Sequence, residues 1–343
     1  MNIGKCTRFL VLNCCVWTCL SVSNTFSQSN GDEGQETSDP PKSKVYTFEY
    51  RERLQGYEEN YVIWQRTQDD ERSFEAHYSL RYLLTDPHPL ADDITRTECF
   101  LSYTGEFDFY AGTRESGPVI NRISNPGAHL RRYVGDWEML SGLAFQYFEV
   151  GFEHRSNGQT VDADDRVAGP NSQFVAQARF LSDDHEFFDG ISRGSNFLSL
   201  KGRLRIGTTD NKNSSDRNTG PTPLLIDFSV KPLYISSDSN VTWGPLANSG
   251  IEFSDYDRGS IAVSKRFSFE LGPLSDPGFS VKWTLGDKGT ATDSFDIGIS
   301  LPIYVTSKFL LPLYVRYHDG PMSTLSNYTK EQNSIGIGLN LSI

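Results

Sequence analysis

A segment of about ten residues that alternates apolar and polar side chains recurs along the chain, and each copy is followed by Gly, Asp, Asn, Ser or Pro. Near the C-terminus, for example, Ile335, Ile337 and Leu339 alternate with glycine and other small or polar residues. Because successive side chains of a β-strand point to opposite faces, this pattern predicts strands with one apolar and one polar face. Twelve such segments are found, at 60–65, 74–84, 99–109, 132–140, 148–156, 198–206, 224–234, 261–269, 279–285, 295–303, 309–317 and 334–343.

The twelve segments predict an all-β fold, a twelve-stranded antiparallel transmembrane β-barrel. A soluble β-sandwich also alternates, so alternation alone leaves that alternative open. The polar faces favour the barrel, since Lys201, Arg203 and Arg205 on one strand suit a polar lumen. A final strand that runs to Ile343 and long polar loops at 159–191, 208–221 and 236–257 are also typical of outer-membrane barrels.

Composition excludes two other classes of protein. With 32 basic and 44 acidic residues the net charge is -12, which argues against nucleic acid as a partner, because such binding needs a basic surface. With 37% hydrophobic and 22% charged residues the chain has no room for a bundle of apolar membrane helices. A barrel is compatible with these values because its strands are apolar on one face only.

The N-terminus predicts export. Lys5 and Arg8 precede an apolar stretch at 9–22, and Ser and Thr residues follow it, so residues 1–27 are expected to be a cleaved signal peptide. A membrane anchor is the alternative, although the stretch is short for a span of about 20 residues. Residues 28–44 lack any hydrophobic period and are expected to be a disordered extension, followed by the barrel domain at 45–343.

Three polar residues stand on the apolar faces of two neighbouring strands. His154 and Ser156 share a face with Phe148, Val150 and other apolar residues, so they are expected to point outward. Their Cα atoms lie about 7 Å apart from the strand rise, within reach of a hydrogen bond between the side chains.

Asn196 begins the next strand on its apolar face, where its carboxamide can orient the His154 ring, as the third group of a catalytic triad does. The alternative is an interfacial histidine beside an unrelated serine. Because outward polar groups are costly in lipid, a functional reason is favoured.

At these positions the chain resembles the outer membrane phospholipase A family. The resemblance rests on 151–158 (GFEHRSNG), which is similar to the family's His-x-Ser-Asn-Gly run, and on 192–196 (SRGSN), which is similar to its Ser-Arg-x-x-Asn run. Further similarity extends to 56–61, to Tyr103 and Thr104, and to 317–328.

The resemblance implies a calcium-dependent hydrolase with phospholipase A1 and A2 activity, active as a homodimer in the Gram-negative outer membrane, where phospholipid is both surroundings and substrate. It makes His154 the base, Ser156 the nucleophile and Asn196 the orienting residue, and gives the Gly158 amide to the oxyanion hole. A non-catalytic barrel, a porin or a structural protein, is the alternative function.

The resemblance also implies three calcium ligands. They are the Ser192 hydroxyl, the Gln159 carbonyl and, from the partner subunit, a serine two before a proline in an early loop, which Ser124 matches. Two features depart from the family: Gln159 replaces the usual Arg, and 39 residues separate Ser156 from Asn196.

Within that long loop Asn171 is a rival for Asn196, although it lacks the Ser-Arg context. The acidic residues of the loop could suggest a metal site, but a solvated acidic loop is favoured for this set: Asp162, Asp164, Asp165, Asp183, Asp184, His185 and Glu186.

Overall fold

The structure is a computed structural model. It describes residues 52–86, 95–110, 119–140, 142–159, 161–162, 172–182, 184–207, 222–237, 251–268, 270–322, 325 and 328–342. The expected signal peptide and N-terminal extension lie outside these residues. No helix within the described ranges is long and apolar enough to cross a membrane.

Twelve antiparallel strands form a closed barrel, as the sequence predicts. They are β1 Tyr61–Thr67, β2 Arg72–Leu83, β3 Thr97–Tyr110, β4 Val119–Leu140, β5 Leu143–Ser156, β6 Gly194–Ile206, β7 Leu224–Ser237, β8 Gly259–Arg266, β9 Gly278–Leu285, β10 Ser294–Thr306, β11 Phe309–Gly320 and β12 Gln332–Asn340. Each strand pairs with its neighbours in sequence, and β12 pairs with β1 from Ser334 opposite Thr67 to Asn340 opposite Tyr61. Closure leaves no open sheet edge among the twelve.

The remaining elements are short. The short strand Leu54–Gly56 pairs with β2 on the same side as β1 does. Residues 57–60, which connect the short strand to β1, bulge into the lumen. The β5–β6 connection carries the helices α1 Ser172–Leu181 and α2 His185–Asp189 and a parallel pair of strands, Val161–Asp162 with Ile191–Ser192. Two-residue strands lie at Glu270–Leu271 and Leu274–Ser275, and 3-10 turns at Phe253–Asp255 and Gly289–Ala291.

The outer surface of the barrel is apolar. Large hydrophobic side chains on it are exposed, as expected for strands that face lipid. They include Phe74, Leu80, Leu101, Leu130, Phe148, Val150, Leu200, Ile261, Trp283, Ile299, Ile335 and Ile337.

The lumen holds paired charges. Glu149 is fully buried, accepts hydrogen bonds from Tyr57 (2.6 Å) and Arg131 (2.7 Å), and lies 3.0 Å from the His129 ring. Lys201 pairs with Glu153 at 3.2 Å. Because a buried charge is tolerated only when it is paired and hydrogen-bonded, this network explains why the alternate positions of the strands are charged.

The main difference from the sequence prediction concerns β4. It begins at Val119, whereas the predicted strand covers only 132–140. Pro126 and Gly127 are turn residues in most sequences. Here Pro126 lies in the strand opposite Tyr103, and the ladder to β5 keeps one register on either side of it, from Ser124 opposite Ser156 to Gly127 opposite Glu153.

The last strand also ends at Asn340, before the predicted end, and Ile343 lies outside the described residues.

Candidate active site

The site is built where β5 ends and β6 begins. His154 and Asn196 are directly opposite each other in the β5–β6 ladder, and the His154 Nδ1 lies 3.0 Å from the Asn196 Oδ1. Because a carboxamide oxygen only accepts, the His154 Nδ1 carries the proton in this pair. In the neutral ring of this tautomer, the Nε2 carries a lone pair that can take a proton from another group.

Ser156 lies two residues beyond His154 on the same outward face. On the inner face of β5, Glu149 and Glu153, which precede His154, are buried, and this fixes the phase of the strand. His154, Ser156 and Asn196 are each partly exposed. Within the described ranges, no hydrogen bond joins the Ser156 hydroxyl to the His154 ring, although the two groups share a face.

Ser124 lies beside Ser156, and it is in a strand, not in the early loop that the sequence suggested. It is directly opposite Ser156 in the β4–β5 ladder of the same chain, and its hydroxyl donates to the Tyr103 hydroxyl at 3.0 Å. Opposite Ser124 on the other side is Gly105, over which the Tyr78 ring lies. The role of Ser124 as the calcium ligand contributed by a partner subunit stays a prediction.

The turn after Ser156 is held by Asn157. This side chain is 1% exposed, and its Oδ1 accepts from the Arg193 amide at 2.9 Å and the Gln159 amide at 3.4 Å. Its Nδ2 donates to the Ile191 carbonyl at 2.8 Å. Gly158, which follows, has φ +61° and is exposed, a left-handed conformation that glycine adopts without strain.

The segment before β6 supplies Ser192 and Arg193. Ser192 belongs to the short parallel strand pair and is partly exposed, whereas Arg193 is 1% exposed. The Arg193 guanidinium lies 5.1 Å from the centre of the Tyr328 ring. Burial raises the pKa of Tyr328 to about 12, so the ring beneath the guanidinium stays neutral and favours a cation–π contact.

Inside the barrel wall, an ion-pair cluster supports the same strand end. Arg155 lies between His154 and Ser156 but points inward, where it pairs with Asp257 at 3.0 Å. Lys231 pairs with the same carboxylate. Burial raises the pKa of Asp257, but the two cations lower it below its usual value, so the carboxylate stays charged and holds Arg155 in place.

The turn after Ser156 and the segment before β6 each carry an oxygen atom of the kind that a hard cation binds. The Ser192 hydroxyl and the Gln159 carbonyl are the kind of ligand that calcium takes, and both belong to segments joined through Asn157. Within the described residues, no group of three or more His, Cys, Asp or Glu side chains could hold a metal ion.

One residue of the acidic loop has described side-chain contacts, and the solvated interpretation of the whole set stays a prediction. Asp184 caps α2 by accepting from the Phe187 amide and pairs with Arg179. The rival Asn171 and the residues Asp164, Asp165 and Asp183 lie outside the described residues.

Sequence reasoning missed the roles of Asn157 and Arg193 in the site. Both belong to the runs that carry the family resemblance, but the apolar–polar alternation gives no signal for them, because they lie beyond the strand ends. Their burial could be found only once the two segments are seen side by side.

No protein-family model matches the chain, and no curated protein matches it in sequence. Solved structures do match. Outer membrane phospholipase A from Escherichia coli is 17% identical, with a TM-score of 0.52, and the match covers 83% of this chain and 96% of that one. The Salmonella typhi outer membrane phospholipase dimer with bound calcium is also 17% identical, with a TM-score of 0.53 over 83% of this chain and 90% of that one.

An active-site mutant of the E. coli protein matches at 17% identity and a TM-score of 0.50, over 89% of this chain and 93% of that one. All three matches extend over most of both chains, and the twelve-strand barrel is the architecture that the present chain builds. The chain therefore has the fold of outer membrane phospholipase A.

Proposed function

We propose that the protein is a calcium-dependent phospholipase of the Gram-negative outer membrane. Its substrates are glycerophospholipids and lysophospholipids, whose fatty acyl esters it hydrolyses with phospholipase A1 and A2 activity. The observation that carries the proposal is the His154–Asn196 hydrogen bond of 3.0 Å beside Ser156 on the outer, apolar face of the barrel.

The place of these residues selects the substrate class. A polar group on the outside of a barrel faces lipid, where an unneeded hydrogen-bonding side chain is costly. A nucleophile there meets the ester linkages of phospholipids at the edge of the apolar layer, whereas solutes in the lumen cannot reach it. The outward phase of β5 and β6 therefore favours a lipid ester as the substrate.

The chemistry follows from the proton positions. With the proton on Nδ1 held by Asn196, the His154 Nε2 removes the proton of the Ser156 hydroxyl as its oxygen attacks the ester carbonyl. The Gly158 amide donates to the developing oxyanion. When the ester C–O bond breaks, His154 returns the proton to the glycerol oxygen that leaves, and an acyl group remains on Ser156.

Water completes the cycle. His154 removes a proton from a water molecule, whose oxygen attacks the acyl carbonyl, and the fatty acid leaves as Ser156 recovers its proton. Asn196 is neutral and orients the ring without strongly stabilising its charged form. Ser192 and Gln159 of this chain, with Ser124 of a second subunit in a homodimer, would hold a calcium ion, which would supply positive charge near the oxyanion.

Fatty acid release tests this proposal. Folded protein in mixed phospholipid–detergent micelles should release fatty acid with calcium and lose that activity with chelator. Ser156→Ala should be inactive, while Ser307→Ala, at the opposite end of the barrel, should behave as wild type. Folding is checked by the difference in gel mobility before and after boiling, since a closed barrel resists detergent. Folded wild-type protein without calcium-dependent release would instead indicate a non-catalytic barrel.

A further inference from the structure

One buried side chain joins the two ends of the long β5–β6 connection. Asn157 follows the candidate nucleophile, and its carboxamide bonds to three backbone groups: the amides of Gln159 and Arg193 and the carbonyl of Ile191. The Asn157 amide also donates to the Arg193 carbonyl at 3.1 Å. Residues 157–159 and 191–193 are thus held together by hydrogen bonds to a single residue.

The Asn157 hydrogen bonds lie beside Gly158, which has open space around its Cα. Gly158 is exposed, and a Cβ added to it would meet no atom within 4 Å other than those of its two chain neighbours, so the space beside its Cα is open. The neighbours of Gly158 are both hydrogen-bonded. The Asn157 amide donates to the Arg193 carbonyl, and the Gln159 amide donates to the Asn157 side chain. The hydrogen bonds of the Asn157 and Gln159 amides therefore restrain the backbone on both sides of the Gly158 amide.

The segment at 191–193 is held in place by Arg193. Arg193 donates its amide to Asn157 and lays its buried guanidinium over Tyr328. Tyr328 belongs to a buried apolar cluster with Ile123, Phe253, Tyr256 and Leu325. The bonds of Asn157 therefore attach the turn after Ser156 to a segment that is itself fixed to the barrel end.

We propose that Asn157 is a positioning residue that holds the Gly158 amide and the Ser192 hydroxyl in one geometry. The inference rests on the proposed function and adds how that site is assembled despite the 39 residues between Ser156 and Asn196. The long β5–β6 connection begins after residues 157–159 and ends at residues 191–193, and the Asn157 bonds join these two segments. The Gly158 amide and the Ser192 hydroxyl therefore keep a fixed spacing.

Two variants separate the bonds. Asn157→Ala removes all three side-chain bonds, and Asn157→Asp keeps the accepting oxygen but loses the donation to Ile191. The matched control is Asn125→Ala, which removes another inward asparagine near the same strand end, where its Nδ2 donates to Glu153 at 3.1 Å. Each variant is compared with wild type for kcat, KM and the calcium concentration needed for half-maximal hydrolysis.

A second measurement does not use activity. Calcium-induced dimerisation, followed by sedimentation in detergent, gives the calcium dependence of the protein alone. Asn157→Ala should lower kcat about 10- to 100-fold, because a shift of about 1 Å in a donor has an effect of this size. It should raise the half-maximal calcium concentration about tenfold in both measurements, with KM nearly unchanged. Asn157→Asp should lie between this variant and wild type.

The outcomes separate the two proposals. If Asn157→Ala lowers only the unfolding temperature, or matches Asn125→Ala in kcat and in calcium dependence, the positioning role is wrong while the proposed function stands. If folded wild-type protein releases no fatty acid with calcium, the proposed function fails, and the positioning role fails with it.

Discussion

Two histidines of the barrel have the same local geometry but opposite surroundings. His154 lies opposite Asn196 on the outer face, with 3.0 Å between the ring nitrogen and the carboxamide oxygen. His318 lies opposite Asp296 in the β10–β11 ladder on the inner face, with 2.9 Å between the corresponding atoms. In each pair the Nδ1 faces a side-chain oxygen one strand away.

The partners differ in charge, and the surroundings explain why. Asp296 is also bound by Arg316 at 2.7 Å, so its charge is balanced inside a polar lumen. A carboxylate at Asn196 would face lipid without such a cation, at a cost of several kcal/mol. A neutral carboxamide orients a ring on the outer face without that cost.

The residues nearby differ as well. Two residues beyond His154, on the same face, is Ser156, the proposed nucleophile, whereas two residues beyond His318 is Gly320. An oriented histidine is thus not by itself a sign of catalysis. The outer pair combines an orienting partner with a hydroxyl on one face, and the inner pair belongs to an ion-pair network.

The largest expected difference between the two pairs is in activity. His154→Ala or Ser156→Ala should lower hydrolysis about 10⁴-fold or more, since each removes a group that takes part in bond making. His318→Ala should leave hydrolysis within a few-fold of wild type. Fatty acid release from micelles with calcium measures this. Equal losses in His154→Ala and His318→Ala would mean that the outer histidine has no special role.

The next largest effect is expected in the stability of the inner ion-pair network. Arg316 bridges Glu75 at 2.6 Å and Asp296 at 2.7 Å, and all three side chains are largely buried. Arg316→Ala leaves both carboxylates without this partner, so it should lower the free energy of unfolding by about 3–5 kcal/mol. The control Arg66→Ala breaks an exposed pair with Asp70 and should change it by less than about 1 kcal/mol. Unfolding of the folded barrel in guanidinium chloride compares the two variants. Similar unfolding midpoints for Arg316→Ala and Arg66→Ala would contradict the conclusion that the buried ion pairs of the lumen stabilise the barrel.

The fold could be predicted from sequence because a barrel strand carries its whole pattern locally. Phe148, Val150 and Glu149 alternate as the two faces require, and the same rule placed all twelve strands. The rule was less accurate at strand ends: the last strand stops at Asn340, and β4 continues through a local turn signal. Pro126 lies within β4 opposite Tyr103, at a point where the ladder to β5 has no paired residue but keeps its register, so the missing amide hydrogen is tolerated there.

The site could be predicted in part. The phase of the strands placed His154, Ser156 and Asn196 on one face, and register then brought His154 and Asn196 together. Asn157 and Arg193 could not be found in this way, because their burial depends on contacts between segments far apart in sequence. The position of Ser124 in a strand also depends on the length of β4, which the alternation did not give.

Removing the orienting group should have a smaller effect than removing the base. Asn196→Ala should lower hydrolysis about 10- to 100-fold, because the His154 ring still samples the productive tautomer part of the time. Asn171→Ala is the matched control and should be close to wild type. The same assay applies, and a greater loss in Asn171→Ala than in Asn196→Ala would overturn the assignment across the long connection.

The smallest expected effect is on the calcium requirement. Calcium should matter for the outer site at His154 and Asn196 and not for the inner pair of His318 and Asp296. Ser192 stands four residues before Asn196 in a segment tied to the turn of Gly158. Calcium takes several oxygen ligands and can replace one with water, so Ser192→Ala should raise the half-maximal calcium concentration only about 3- to 10-fold.

At saturating calcium, Ser156 in this variant should still react with a sulfonyl fluoride, since His154 and Asn196 are unchanged. By linkage, calcium should promote dimerisation at correspondingly higher concentration. Unfolding of the lumen network in guanidinium should be the same for the variant and wild type, because no calcium ligand belongs to it. A calcium requirement equal to that of wild type would place the cation elsewhere, and the acidic residues Asp162, Asp164 and Asp165 would be the next positions to substitute.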